Sequence, residues 1–137
     1  SGLVLFLQNR KARPVRYSVD KSGGGRTIGS RTMPYTGILI LVFVVLHLIK
    51  FSFVDKTGTT IYDIVSSTFQ SPIFVVWYVV MMIVAAVHIS HGLWSAFQTL
   101  GANHPKYMPF IQKFGIAFSV VIGIGFGSLP IYLLSAV

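Results

Sequence analysis

The 137-residue sequence has no cysteine. That excludes disulfides, cysteine-ligated iron–sulfur clusters, thiolate zinc sites and thiol catalysis. It has no glutamate either, and its 3 acidic residues are Asp20, Asp55 and Asp63. None of them lies in a long apolar run, so a carboxylate proton pump or a carboxylate–metal site inside a membrane span is not expected. Charged residues make up only 10% of the chain, against 53% hydrophobic residues. A soluble domain carries about 25% charged residues. A chain this poor in charge cannot cover itself with an ordinary wet surface, and its composition is that of a membrane protein. Catalytic signatures are also missing. No Ser/His/Asp order with a nucleophile turn occurs. The "GIGFG" at Gly123–Gly127 follows no strand and lacks the spacing of a dinucleotide loop.

What charge there is has one sign. The net charge is +8, from 11 Lys and Arg against 3 acids. The basic residues sit between apolar runs and do not gather on a groove-sized patch, so nucleic acid is not the expected partner. Seven of the 11 lie in residues 8–34: Arg10, Lys11, Arg13, Arg16, Lys21, Arg26 and Arg31. Short loops rich in Lys and Arg stay on the cytoplasmic side. Most of these side chains read as solvated, with a few free to meet an anionic cofactor group or a soluble partner.

Three runs are long enough to cross a bilayer, which takes about 20 apolar residues. They predict helices over about 35–53, 71–98 and 111–136. The apolar opening, residues 1–7, is too short to span and reads as the end of a helix that begins before residue 1. The length fits one domain. In the loop 54–70, "TIYDIVSSTF" predicts a short amphipathic surface helix. Pro72 suits a first helical turn. Gly101, Pro105 and Pro109 break the pattern between the last two spans. Gly123 and Gly127 form a small-xxx-small pair suited to close helix packing. Trp94 and Tyr107 read as interfacial aromatics, and His104 as a solvated loop residue. Positive-inside bias then places 8–34 and 99–110 in the cytoplasm and 54–70 outside.

The features that call for chemistry are histidines. His47, in "VFVVLHLIKF", and His88, in "AAVHISHGLWSAF", lie well inside two different spans. An ionisable group at that depth is costly and points to function; for either ring alone, a hydrogen bond to a neighbouring helix is an equally good reading. Together, without cysteine, they suggest imidazole ligation of iron, copper or zinc. Haem suits the surroundings best, as a flat apolar ligand held by axial histidine between helices. Ala85, Gly92 and Ser95 make a small-residue stripe beside His88 that could shelve a porphyrin or simply pack a helix. His91 points to another face and reads as support, with a propionate, a quinone or a backbone carbonyl as its partner.

The stretches "HISHGLWSAFQTLGANHPKY", "SRTMPYTGILILVFVVLHL" and "NRKARPVRY" resemble the di-haem cytochrome b membrane anchor of succinate:quinone oxidoreductases, the succinate dehydrogenases and fumarate reductases. The resemblance runs in order along the whole chain and is most specific over 88–107. It implies an all-α transmembrane bundle of five helices, of which this chain carries the last three and the end of the second, as one membrane-anchor domain. It implies that His47 and His88 are axial haem-iron ligands from the third and fourth helices. The family pattern H-x-x-x-G-[L/I] selects His88 with Gly92 rather than His91. The partner ligands of both haem b groups belong to helices outside this sequence. Where some members carry a glutamate linked to proton movement, this chain has Ala86.

The resemblance further implies a bacterial cytoplasmic-membrane, multi-pass protein in a complex with two soluble subunits. One is a flavoprotein holding FAD, where succinate and fumarate react, and the other is an iron–sulfur subunit. The anchor would relay electrons to a membrane quinone, menaquinone for the di-haem form, and would itself contain no succinate-oxidising site. Arg13, Arg16 and Arg31 are the candidate partners for propionates or for the iron–sulfur subunit. The alternatives are another membrane b-type cytochrome subunit, or a haem-free structural or transport bundle.

Overall fold

The computed structural model describes residues 28–136, together with Val4, Leu7, Gln8, Lys11 and Ala12. The apolar opening and most of the basic loop, Arg13 and Arg16 included, lie outside the described residues. The rest folds as helices α1 (Ile28–Phe51), α2 (Ile61–Phe69), α3 (Pro72–Thr99) and α4 (Met108–Ser135). No strand occurs among the described residues, and α1, α3 and α4 are each long and apolar enough to cross a membrane. The all-α transmembrane bundle expected from the sequence is the fold found.

The helix ends follow from local chemistry. The sequence predicts a start near residue 35, whereas α1 begins at Ile28 and carries Pro34 inside it. Proline removes one N–H from the helical ladder. A transmembrane helix tolerates such a residue. Here the Thr32 hydroxyl donates to the Gly29 carbonyl at 3.1 Å, and the Thr36 hydroxyl reaches the Thr32 and Met33 carbonyls at 3.0 and 3.2 Å. At the other end, the N–H groups of Ser52 and Phe53 share the Leu48 carbonyl, which closes the helix.

The expected surface helix is α2. Thr60 caps it: its hydroxyl accepts from the Asp63 N–H, while the Asp63 carboxylate accepts from the Thr60 N–H. This reciprocal box satisfies two donors that a bare helix start leaves open. Helix α3 starts on Pro72 and ends at Gly101, whose φ is +84°. The Ala102 N–H returns to the Phe97 carbonyl and the Gly101 N–H to the Gln98 carbonyl. That is a Schellman closure, and its left-handed residue favours glycine.

Helix α3 is the middle of the bundle. It packs most extensively on α4, next on α1, and α1 and α4 do not touch among the described residues. The α3–α4 seam is built from small residues. A Cβ placed on Gly123 would lie 3.0 Å from the Ala86 Cβ, one on Gly115 would lie 3.4 Å from the Ser90 carbonyl, and one on Gly127 would lie 3.7 Å from the Met82 Cβ. Ser119, between them at the same four-residue spacing, is 3% exposed. The sequence reading of Gly123 and Gly127 as a packing pair holds, and the stripe extends two turns further toward the start of α4. Without a hydrophobic drive between helices in lipid, such close backbone approach supplies the packing energy.

The outer end is packed differently. Phe43, Phe51, Phe69, Val75, Tyr78 and Met81 form a buried cluster. Tyr78 is its hub, with T-shaped contacts to Phe69 at 4.9 Å and Phe43 at 5.1 Å between ring centroids. Through Phe69 the short helix α2 is stapled under the spans. The remaining large apolar side chains, such as Leu41, Val76, Ile83, Val121 and Ile124, face outward. In water that surface would aggregate; in lipid it is the expected exterior.

Two outcomes test these assignments. Gly123→Leu should lower the thermal midpoint of the detergent-solubilised protein through overpacking of about 1–3 kcal/mol. Gly125→Leu should not, because a Cβ at Gly125 meets nothing within 4 Å. An equal response of the two variants would remove the close-packing argument. The hydrogen bonds from Thr60 also hold the Asp63 carboxyl below its ordinary value of 3.8. A depressed folded value means the cap contributes above 3.8 and is lost as pH falls through the lower folded value. A carboxyl NMR titration should show Asp63 titrating low in the wild type and moving up toward the ordinary range in Thr60→Ala, which keeps only the backbone bond.

Candidate functional site

The seam between α1 and α3 collects the polar atoms of the membrane interior. The helices run antiparallel, so the start of α1 meets the end of α3. His88, on α3, places Nδ1 2.9 Å from the Thr36 hydroxyl of α1. His47, on α1, places Nδ1 3.4 Å from the Tyr78 hydroxyl of α3. Each histidine thus meets a hydroxyl from the opposite helix, and no hydrogen bond engages either Nε2 among the described residues. Thr36 and His47 are eleven residues apart and Tyr78 and His88 ten, so the two rings sit about 15 Å apart along the seam at 1.5 Å per residue.

The two levels have different surroundings. His47 lies against Phe43 and Phe51, one turn before and after it, with ring centroids at 5.8 and 5.1 Å. It is open on the side away from α3. His88 is half-buried beside small residues. A Cβ on Gly37 would lie 3.5 Å from its Cε1, and one on Gly92 would lie 3.5 Å from the Met33 terminal methyl. Gly92 therefore faces α1 across the seam. Ala85 and Ser95 are half-buried on the same helix. Ala86 faces the other way, onto Gly123 of α4.

His91 lies one turn nearer the end of α3. Its ring packs on the backbone of α1, where a Cβ at Gly29 would lie 2.8 Å from its Nδ1, and it meets Trp94 edge-on at 4.8 Å. It is a packed residue at the helix entrance. Trp94 is half-buried against it, while Tyr107 is exposed beside Lys106. Arg31 is exposed at the start of α1. His104 bonds the Lys106 N–H within its own loop, at 3.2 Å.

The donor set decides what this seam could hold. No group of three or more His, Asp or Glu side chains comes together among the described residues. A site ligated by one protein patch, such as a structural zinc centre, is thus not built here. Single imidazoles with Nδ1 engaged and Nε2 unbonded, at two levels, fit axial ligation of haem, in which each helix supplies one nitrogen. Thr36 and Tyr78, the partners of the two rings, escaped the sequence reading. Their signal is a hydroxyl inside an apolar span, but only the antiparallel register says which ring each one meets.

Three spans around a polar seam define a multi-pass α-helical membrane protein, with its basic segments on one side. The model of the succinate dehydrogenase/fumarate reductase transmembrane subunit family matches residues 8–124, and the chain belongs to that family. It is accordingly a membrane subunit of an enzyme complex and assembles with other subunits. No curated protein and no solved structure gives a significant match.

The contact at Gly29 gives a direct test. Gly29→Ala should destabilise the α1–α3 seam by about 1–3 kcal/mol. His91→Ala in the same chain should recover part of the loss, because it removes the two closest ring atoms. Thermal melts of the two single variants and the double variant check this; strictly additive losses would place the strain elsewhere.

Proposed function

We propose that this chain is the haem-bearing part of the anchor, with His47 and His88 each giving one axial nitrogen to a separate haem b. The observation that supports this is the pair of imidazole–hydroxyl contacts across one seam, at two depths, each leaving Nε2 free. Any second ligand to each haem would come from outside the described residues, and the exposed His47 and the outward apolar face of α1 leave room for it. When bound, haem supplies a one-electron carrier whose potential its axial ligands and their hydrogen bonds tune. The residues of this chain do the rest. The histidines fix the position of the iron, Gly37 and Gly92 keep the seam around His88 free of side-chain bulk, and Ala85 and Ser95 line the same helix.

On this reading the subunit relays electrons between an iron–sulfur subunit and a membrane quinone, menaquinone in the di-haem form. Succinate and fumarate react on a separate flavoprotein holding FAD. The charge distribution supports the orientation. Nine of the 11 basic residues flank the end formed by the start of α1 and the α3–α4 loop, while the opposite end carries Lys50 and Lys56 with Asp55 and Asp63. The basic end faces the cytoplasm of a bacterial cell, where the soluble subunits dock. Arg31 is exposed there, placed for a propionate or for the iron–sulfur subunit.

A redox difference spectrum of the purified membrane complex tests the reading. Succinate should reduce b-type haem, and dithionite should reduce all of it. His88→Ala should remove one haem, and His91→Ala should keep both. Haem that dithionite reduces but succinate does not would favour a cytochrome subunit of a different dehydrogenase. A complex with no b-type absorbance under either reductant would leave only a structural or transport bundle.

A further inference from the structure

The Thr36 hydroxyl touches three acceptors and has one proton to give. It lies 3.0 Å from the Thr32 carbonyl, 3.2 Å from the Met33 carbonyl and 2.9 Å from His88 Nδ1. A carbonyl oxygen can only accept. If the proton pointed at His88, two carbonyls would face the hydroxyl oxygen at hydrogen-bond distance with no hydrogen between them. Donation to the carbonyl three or four residues back is also the ordinary habit of a helical threonine. With the proton committed to the backbone, the oxygen presents a lone pair to His88.

A lone pair facing Nδ1 has a definite consequence for the ring. A neutral imidazole carries one N–H and one bare nitrogen. Nδ1 must then be the N–H, donating to Thr36, and Nε2 must be bare. We propose that Thr36 is the positioning residue of His88: it fixes the Nδ1–H tautomer and the ring plane, and keeps Nε2 ready to bind iron. This inference rests on the haem reading of His88 and adds a residue that the sequence patterns do not single out. The same reasoning does not extend to His47, whose partner Tyr78 has a phenolic proton free to point either way across a longer 3.4 Å contact.

An acceptor on Nδ1–H also makes the imidazole a stronger donor through Nε2. A stronger donor favours ferric iron and lowers the potential of that haem. Thr36→Val keeps the shape, removes the acceptor, and leaves a buried N–H unpaired.

The test is a potentiometric titration, with low-temperature EPR, of the assembled membrane complex. Wild type, Thr36→Val and Thr36→Ser are compared after dithionite spectra have established haem content. Thr36→Val should raise the potential of one haem and leave the other in place. About a tenfold change in its ferric-to-ferrous ratio is expected from loss of such a partner, about 59 mV for one electron. Its EPR signal should shift as the ring turns. Thr36→Ser, which keeps the hydroxyl, should restore both. If Thr36→Val loses that haem while Thr36→Ser keeps it, the hydroxyl role is equally supported.

Unchanged potentials and EPR in Thr36→Val, with both haems present, would overturn the inference and leave the haem reading standing. A serine variant as damaged as the valine variant would overturn it too, because the methyl group would then be what matters. A wild-type complex without haem overturns the functional reading and this inference together.

Discussion

Hydrocarbon offers no hydrogen bonds, so every polar group that this chain carries into the membrane needs a partner from the chain itself. That constraint organises the α1–α3 seam. With no acid in any span, the imidazoles of His47 and His88 cannot be met by carboxylates here and are met by hydroxyls. A hydroxyl brings no charge. It satisfies one ring nitrogen and leaves the other chemically available, whereas a carboxylate would draw the ring toward the imidazolium form, which binds no metal. The scarcity of acid in the spans and the ring nitrogens left without a partner among the described residues go together.

Helix α3 separates support from chemistry by its two faces. Met82, Ala86 and Ser90 face α4, where glycines bring the backbones together. His88 comes two residues after Ala86, which is about 200° round the helix at 3.6 residues per turn, and so faces α1. The consequence reaches Ala86 itself. On this chain its position belongs to the packing face, in contact with Gly123, and a long acidic side chain would have to push two helices apart. The small side chain at Ala86 and the tightness of the α3–α4 seam are therefore linked.

Much of this was legible in the sequence, and the remainder was not for identifiable reasons. The three spans announce themselves by length and hydropathy, and the short surface helix α2 by its amphipathic stretch. The first helix starts earlier than the apolar run indicates, because α1 continues back through Pro34 into the polar stretch before it. The four-residue stripe on α4 was half seen, because Gly115 and Ser119 stand in a less conspicuous context than "GIGFG". Thr36 and Tyr78 could not be assigned at all. Their roles depend on the register between α1 and α3, set jointly by the Gly29–His91 contact at one end and the Tyr78 aromatic cluster at the other. Register is a property of the pair of helices, and neither helix states it alone.

Those two anchors also explain why the levels of the seam are unequal. At the inner end the backbone of α1 comes close enough for His91 to press on Gly29, and the contact from Thr36 to His88 is short, 2.9 Å. At the outer end bulky rings hold the helices apart, and Tyr78 reaches His47 only at 3.4 Å. Hydrogen-bond strength falls with that lengthening, so the contact at His47 is the weaker of the two. Small residues at one end and aromatic residues at the other thus do more than hold the bundle together. They place two chemically similar histidines in different surroundings.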